Sequence, residues 1–142
     1  MILALEMEIS GLPFPRLSTI LILAALTAGC SDGCGNAIIT ESISPSGDVK
    51  AVMFQRDCGA TTSFSTQISV IKEDGELTGS GNVFVADDDH GTAYTGDWGG
   101  PWAEMHWSAP DRLIIRYAEK SRIFEQKNKM SGIRITYQSV RH

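Results

Sequence analysis

Histidine and cysteine are scarce in this chain, with three of each among 142 residues. The histidines lie far apart, at His90, His106 and His142, and neither residue type has the spacing of a familiar zinc site. No combination of nucleophile, base and acid can be recognised either. The sequence therefore predicts a protein that is not an enzyme and carries no cofactor.

Positive charge is also in short supply. The 12 Lys and Arg residues are outnumbered by 17 Asp and Glu, which gives a formal net charge of −5. A surface that binds nucleic acid needs clustered Lys and Arg to neutralise phosphates. The sequence therefore excludes nucleic acid as the expected partner.

The chain has no apolar run long enough to span a bilayer, which takes about 20 residues. Its longest run, from Leu17 to Ala28, follows Arg16 and leads into small residues. A positive charge, a short apolar segment and small residues in that order are typical of a secretory signal peptide. The alternative is a buried helix of a cytosolic protein.

Cys30 directly follows Ala28-Gly29, as in the bacterial lipobox, in which the cysteine is acylated and becomes the first residue. We expect residues 1–29 to be removed as a lipoprotein signal peptide and residues 30–36 to form a short tether. Acyl chains such as palmitate on Cys30 would hold the protein at the membrane, facing the periplasm. Ser31, in place of an aspartate, favours the outer membrane over the inner one.

Two other cysteines remain, Cys34 and Cys58. Export would place them in an oxidising compartment where disulfides persist. We predict a bond between them, worth about 3 kcal/mol in the chain-entropy model. Two free buried thiols are the alternative.

Residues 37–140 are predicted to form a single all-β domain, a small antiparallel sandwich or barrel-like meander. Short segments rich in β-branched residues alternate with Gly and Pro turns, and Ile133, Ile135 and Tyr137 alternate with polar residues. Residues 87–101 are predicted to be a long surface loop. Only residues 118–129 could form a helix. The predicted strands are residues 37–43, 49–55, 66–72, 82–86, 102–107, 113–117, 123–126 and 133–138.

Several motifs support a family assignment. They are Cys34-Gly-Asn36, Ser44-Pro-x-Gly47, Phe54-x-Arg-Asp-Cys-Gly-Ala-Thr-Thr62, Asn82-Val-Phe-Val-Ala-Asp87 followed by His90-Gly91, and Trp107-x-x-Pro-Asp-Arg-Leu113. Together they resemble a family of small exported bacterial domains of unknown function. The resemblance implies no activity, and it supports the pairing of Cys34 with Cys58.

An acidic stretch at the start of the long loop is the first candidate site. Asp87, Asp89 and His90 could bind a divalent cation, because carboxylates suit calcium and a histidine favours zinc or manganese. A solvated acidic turn is the alternative.

Two further candidate sites involve arginine and tryptophan. Arg56 and Asp57 could bind a carboxylate or a sugar, or could instead form a structural salt bridge and satisfy turn amides. Trp98 and Trp102 could stack on a sugar or anchor a protein partner, or could belong to the core. His142, at the end of the chain, is expected to be disordered.

The interpretation that combines these features is a bacterial envelope lipoprotein that acts as a non-catalytic binding or interaction module. Its expected partners are the membrane, through the lipid anchor, and an envelope protein or the cell wall, through residues 87–102. The alternative is a periplasmic module that binds metal or carbohydrate through Asp87, Asp89 and His90.

Overall fold

The computed structural model describes residues 33–59 and 64–142, so the predicted signal peptide and the acylation site at Cys30 lie outside the described residues. The all-β prediction is confirmed, because the described residues form strands and no helix. The strands are β1 (Gly35–Ile43), β2 (Val49–Asp57), β3 (Ser65–Lys72), β4 (Phe84–Asp87), β5 (Ala103–Ala109), β6 (Arg112–Ala118), β7 (Arg122–Gln126), β8 (Lys129–Met130) and β9 (Ile133–Val140).

The strands form two sheets that pack as a small sandwich. One sheet has the order β1-β2-β3-β4-β7 and the other β5-β6-β9-β8. All the strand pairs are antiparallel except β6 with β9, which is parallel. The parallel pair arises because β7, which lies between β6 and β9 in the chain, belongs to the first sheet. As a result, β9 runs in the same direction as β6.

The core lies between the two sheets and follows the alternation of each strand. Ile133 and Ile135 are buried on β9, whereas Arg134 and Thr136 between and beside them are exposed, as the sequence predicts. Alternate residues of β2 and β3 also join this core, but both strands are buried on both faces, since Val52 and Ser69 lie between core residues and are buried as well. The buried core residues include Ala51, Met53, Ile68, Val70, Phe84, Ala86, Ala103, Leu113 and Ile115.

The disulfide prediction is confirmed, since Cys34 and Cys58 are bonded with their Cα atoms 4.0 Å apart. The bond closes the open end of the β1–β2 hairpin, next to the pair Gly35–Asp57. The other end is a turn in which the Gly47 N–H donates to the Ser44 carbonyl at 2.8 Å. The edge strand β1 is therefore fastened at both ends.

Two expectations about chain segments are corrected. The helix that residues 118–129 could have formed is absent, and the strand predicted at residues 123–126 is confirmed instead as β7, which pairs with β4. The N–H of Lys127 also donates to the carbonyl of Val83 at 2.8 Å. The predicted tether of residues 30–36 ends earlier than expected. Gly35 already pairs with Asp57 as the first residue of β1.

Candidate functional site

The second half of the loop between β4 and β5 is fixed onto one end of the sandwich. The indole N–H of Trp98 donates to Thr66 Oγ1 at 2.8 Å, and the Thr66 hydroxyl donates to the Pro101 carbonyl at 2.6 Å. Gln55 donates its amide to the Trp98 carbonyl at 2.7 Å. A Cβ atom on Gly100 would lie 2.6 Å from Thr66 Oγ1, so only glycine fits there. Trp98 thus packs against the core and holds the loop in place.

The first half of the loop contains the acidic stretch. Arg122 donates from both Nε and Nη2 to the two carboxylate oxygens of Asp87, the first at 3.0 Å. The N–H of Asp89 also donates to Asp87 Oδ1, at 3.0 Å. Burial raises the pKa of Asp87, but the hydrogen bonds from Arg122 and Asp89 outweigh it, so this pKa lies below its usual value. Asp87 is therefore held as the anion in an ion pair between β4 and β7.

The structure does not bring Asp87, Asp89 and His90 together as metal ligands. Within residues 33–59 and 64–142, no group of three His, Cys, Asp or Glu side chains is placed to hold a metal ion. Asp89 and His90 both have left-handed backbone, with φ of 50° and 57°, and form a tight turn closed by the Ala93 N–H on the Asp88 carbonyl at 2.9 Å. The geometry agrees with the alternative of an acidic turn.

Arg56 and Asp57 also have structural contacts. The buried guanidinium of Arg56 donates to Asn36 Oδ1 at 2.6 Å and to the Gly79 carbonyl at 3.1 Å. Asp57 Oδ1 accepts the N–H of Gly59 at 2.9 Å. These bonds connect β1 and β2 to the loop before β4 and shape the turn after β2. They support the structural alternative for both residues.

Trp102 belongs to a different arrangement, an aromatic cluster formed with Tyr94 and His142. The rings of Tyr94 and His142 stack with centroids 4.2 Å apart and planes 9° apart, and Trp102 meets His142 edge-on at 4.7 Å. The backbone N–H of Trp102 donates to the backbone carbonyl of Tyr94 at 2.9 Å, which holds the two ends of this part of the loop together. The Arg116 guanidinium lies 6.0 Å from the Trp102 ring centroid, within the range of a cation–π contact.

The expectation that His142 is disordered is wrong. The parallel pairing of β6 with β9 continues as far as Ala118 and Val140. His142 therefore lies beside the loop between β4 and β5, where its imidazole contacts the rings of Tyr94 and Trp102. The alternating pattern of β9 indicates which face of the strand is buried, but it does not indicate that the strand runs parallel to β6. Nothing in the sequence pairs His142 with residues almost fifty positions earlier.

A cavity of about 420 Å³ lies beside the aromatic cluster. This volume falls within the range of about 300–1,000 Å³ found for small-molecule sites. Tyr94 is 55% exposed, and Glu119 and Arg141 form an ion pair at 3.2 Å on the rim. Ring surface and charged groups of both signs suit the binding of a polar ligand. The lining residues are Thr92, Tyr94, Ala118, Glu119, Lys120, Val140, Arg141 and His142.

Nothing among known protein families, curated proteins and solved structures matches this chain. In the part of the chain that the structure describes, no helix is long and apolar enough to cross a membrane. Function must therefore be inferred from the geometry of the sites.

Proposed function

We propose that this protein is a non-catalytic binding module of the bacterial cell envelope, and that the cavity beside the aromatic cluster binds a saccharide of the cell wall. The observation that carries the proposal is the exposed stacked pair of Tyr94 and His142 at the rim of a cavity of about 420 Å³. The protein would be anchored through an acylated Cys30 and would face the periplasm, at the outer membrane in preference to the inner one.

A saccharide suits this cavity for two reasons. The apolar face of a sugar ring stacks on an aromatic side chain such as Tyr94, which is amphipathic and rigid. Its hydroxyl groups both donate and accept hydrogen bonds. Around the cavity, the carboxylate of Glu119, the ammonium of Lys120 and the guanidinium of Arg141 can serve as their partners. A divalent cation lacks this support, because the described residues include no group of three His, Cys, Asp or Glu side chains that could hold a metal ion.

The location is supported by the disulfide and by the amino-terminal sequence. A Cys34–Cys58 bond is expected to persist in an oxidising compartment outside the cytoplasm. Mass spectrometry of the protein purified from bacterial membranes tests the anchor. We expect a mature chain that begins at Cys30 and carries acyl chains, and a Cys30→Ala variant that leaves the membrane fraction. An unprocessed chain with free thiols in the cytosol would contradict the location.

Saccharide binding is tested with purified peptidoglycan sacculi in a sedimentation assay and with soluble N-acetylglucosamine oligomers by calorimetry. Removing the Tyr94 ring in Tyr94→Ala loses about 0.5–1.5 kcal/mol of stacking, which corresponds to an affinity about two- to tenfold weaker. Phe124→Ala is the matched control, because Phe124 is 60% exposed on β7 and lies outside the cavity. Circular dichroism spectra verify that both variants are folded.

Two outcomes would overturn the saccharide. One is equal sedimentation of the wild type and Tyr94→Ala at every concentration of sacculi. The other is an envelope protein that is captured by the wild type and lost with Tyr94→Ala while sacculi do not bind, which would assign the cavity to a protein partner.

A further inference from the structure

The outward face of the sheet β5-β6-β9-β8 carries a cationic row formed by Arg112, Arg134 and Lys129. Arg112 on β6 lies directly opposite Arg134 on β9, and Lys129 on β8 lies directly opposite Arg134 from the other side. Leu113 and Ile135, the next residues along β6 and β9, are buried in the core. The three cations therefore point away from the core on adjacent strands.

None of the three cations in the row forms an ion pair with a carboxylate of the described residues. The ion pairs formed by side chains in residues 33–59 and 64–142 involve other cations, and Arg112, Arg134 and Lys129 are all exposed. On the same sheet, by contrast, Arg116 of β6 lies opposite Glu104 of β5 and forms an ion pair with it. The sheet thus pairs Arg116 with a carboxylate, whereas the three cations of the row have no such partner among the described residues.

Like charges directly opposite each other destabilise a sheet. The register that places the three cations side by side is therefore unfavourable for folding, although the chain as a whole has an excess of acidic residues. A row of uncompensated cations also produces a local positive potential that attracts anions. Binding of an anion would offset the repulsion that the register creates.

The surface around Arg134 has a shallow, open hollow on each side. One hollow of about 280 Å³ is lined by Ser108, Arg112, Arg134 and Thr136. A second hollow, of about 700 Å³, lies toward β8 and is lined by Gln126, Asn128, Lys129, Arg134, Ile135, Thr136 and Tyr137. Arg134 and Thr136 border both hollows. Hydroxyl and amide groups can therefore complete the coordination of an oxyanion bound by the cations.

We infer that the cationic row is a binding site for a ligand carrying one or two phosphate groups. Guanidinium groups match the oxygens of phosphate in a bidentate arrangement, and lysine adds a point charge. Neighbouring strands lie about 4.8 Å apart, so the row can contact two phosphates of one molecule, one in each hollow. A discrete ligand fits better than an anionic membrane, because the site is concave and the chain as a whole is negatively charged.

The test uses the oxidised protein with inorganic phosphate and pyrophosphate as probes, measured by calorimetry and by thermal shift at low ionic strength. We expect pyrophosphate to bind more tightly than phosphate, and Arg134→Gln to weaken pyrophosphate binding at least about tenfold, as expected for a lost charge-assisted pair. Arg116→Gln is the matched control, since it removes an arginine that is already paired on the same sheet. We expect it to change the affinity less than about twofold.

A second measurement uses stability without ligand. Because Arg134 is flanked by two like charges, Arg134→Gln should melt at a higher temperature than the wild type in buffer free of phosphate. Added pyrophosphate should raise the melting temperature of the wild type by more than it raises that of Arg134→Gln at the same concentration.

Three results would overturn the inference. They are a wild type that binds neither probe, equal losses of affinity for Arg134→Gln and Arg116→Gln, and sedimentation with anionic lipid vesicles without binding of either soluble probe. The last result would assign the row to a membrane surface. The aromatic cavity is a separate site, so Tyr94→Ala should leave pyrophosphate binding intact.

Discussion

Reduction of the Cys34–Cys58 bond should destabilise the domain and should act first on one strand. The two cysteines are 24 positions apart, and for a closed loop of that length the chain-entropy model gives a stabilisation of about 3.5 kcal/mol, slightly above the rounded value of about 3 expected from the sequence. A domain of about 110 residues has an unfolding entropy of about 2.1 cal/mol/K per residue, so this free energy corresponds to a fall of about 15 °C in melting temperature.

The local effect follows from how little of β1 is buried. Its side chains are mostly exposed, including Ile38 at 54%, and Ile39 is the β1 residue that packs against the core. The far end of the strand is held by the turn and by the indole of Trp107, which donates to the Ser42 carbonyl at 3.1 Å. Once the disulfide is reduced, the Gly35 end is left with its pairing to β2 and the Asn36 bonds, so β1 should open from that end.

Hydrogen exchange measured by mass spectrometry, together with thermal melts in the presence and absence of a phosphine reductant, checks both effects. Amides of residues 35–38 should lose protection more than those of β6 and β9 in the reduced protein. A Cys34→Ser/Cys58→Ser variant should melt at the same temperature as the reduced wild type. A melting temperature that falls by less than about 2 °C on reduction would contradict the predicted loss of stability. Protection that falls equally in all strands would contradict the predicted opening of β1.

Three further predictions concern buried polar contacts. Because hydrogen bonds from Arg122 and Asp89 outweigh burial and lower the pKa of Asp87, the carboxylate stabilises the fold above the ordinary pKa of 3.8. That stabilisation is lost as the pH falls through the lower folded value, so denaturation curves of the wild type and Asp87→Asn should converge in acid. Trp98→Phe removes the hydrogen bond to Thr66, and chemical denaturation should show a loss of about 1 kcal/mol. Burial raises the pKa of Tyr137 above the usual tyrosine value of 10.0, so an ultraviolet titration of a Tyr94→Phe/Tyr117→Phe variant should find this phenol ionising above that value, and a midpoint at the usual value would contradict its burial.

The strands could be predicted from the sequence because their signals are local. Ile133, Ile135 and Tyr137 show the alternation that a half-buried strand requires, and Gly47 follows a proline in a turn. The disulfide could be predicted from a count, because the predicted acylation of Cys30 leaves Cys34 and Cys58 to pair. Each of these inferences depends on residues close together in the chain or on a simple count.

The contacts at the candidate sites could not be predicted because they depend on which strands become neighbours. Trp98 is fixed by Thr66, and Tyr94 by His142, across separations of 32 and 48 positions. The parallel pairing of β6 with β9 is a consequence of β7 joining the other sheet. Alternating patterns give the buried face of a strand, but they do not give its partner or its register.

The net charge of the whole chain does not describe the local charge of one part of its surface. The value of −5 averages over the whole surface, whereas register places Arg112, Arg134 and Lys129 side by side. Three phosphate contacts would give a nucleic acid complex a salt slope of about −2.7, well short of the six to ten contacts that proteins bound to duplex DNA commonly make. The expectation of no nucleic acid partner is therefore compatible with the phosphate site. With single-stranded DNA the three contacts would give a slope of about −2.1, and a steeper slope would require cations beyond this row and would contradict the expectation.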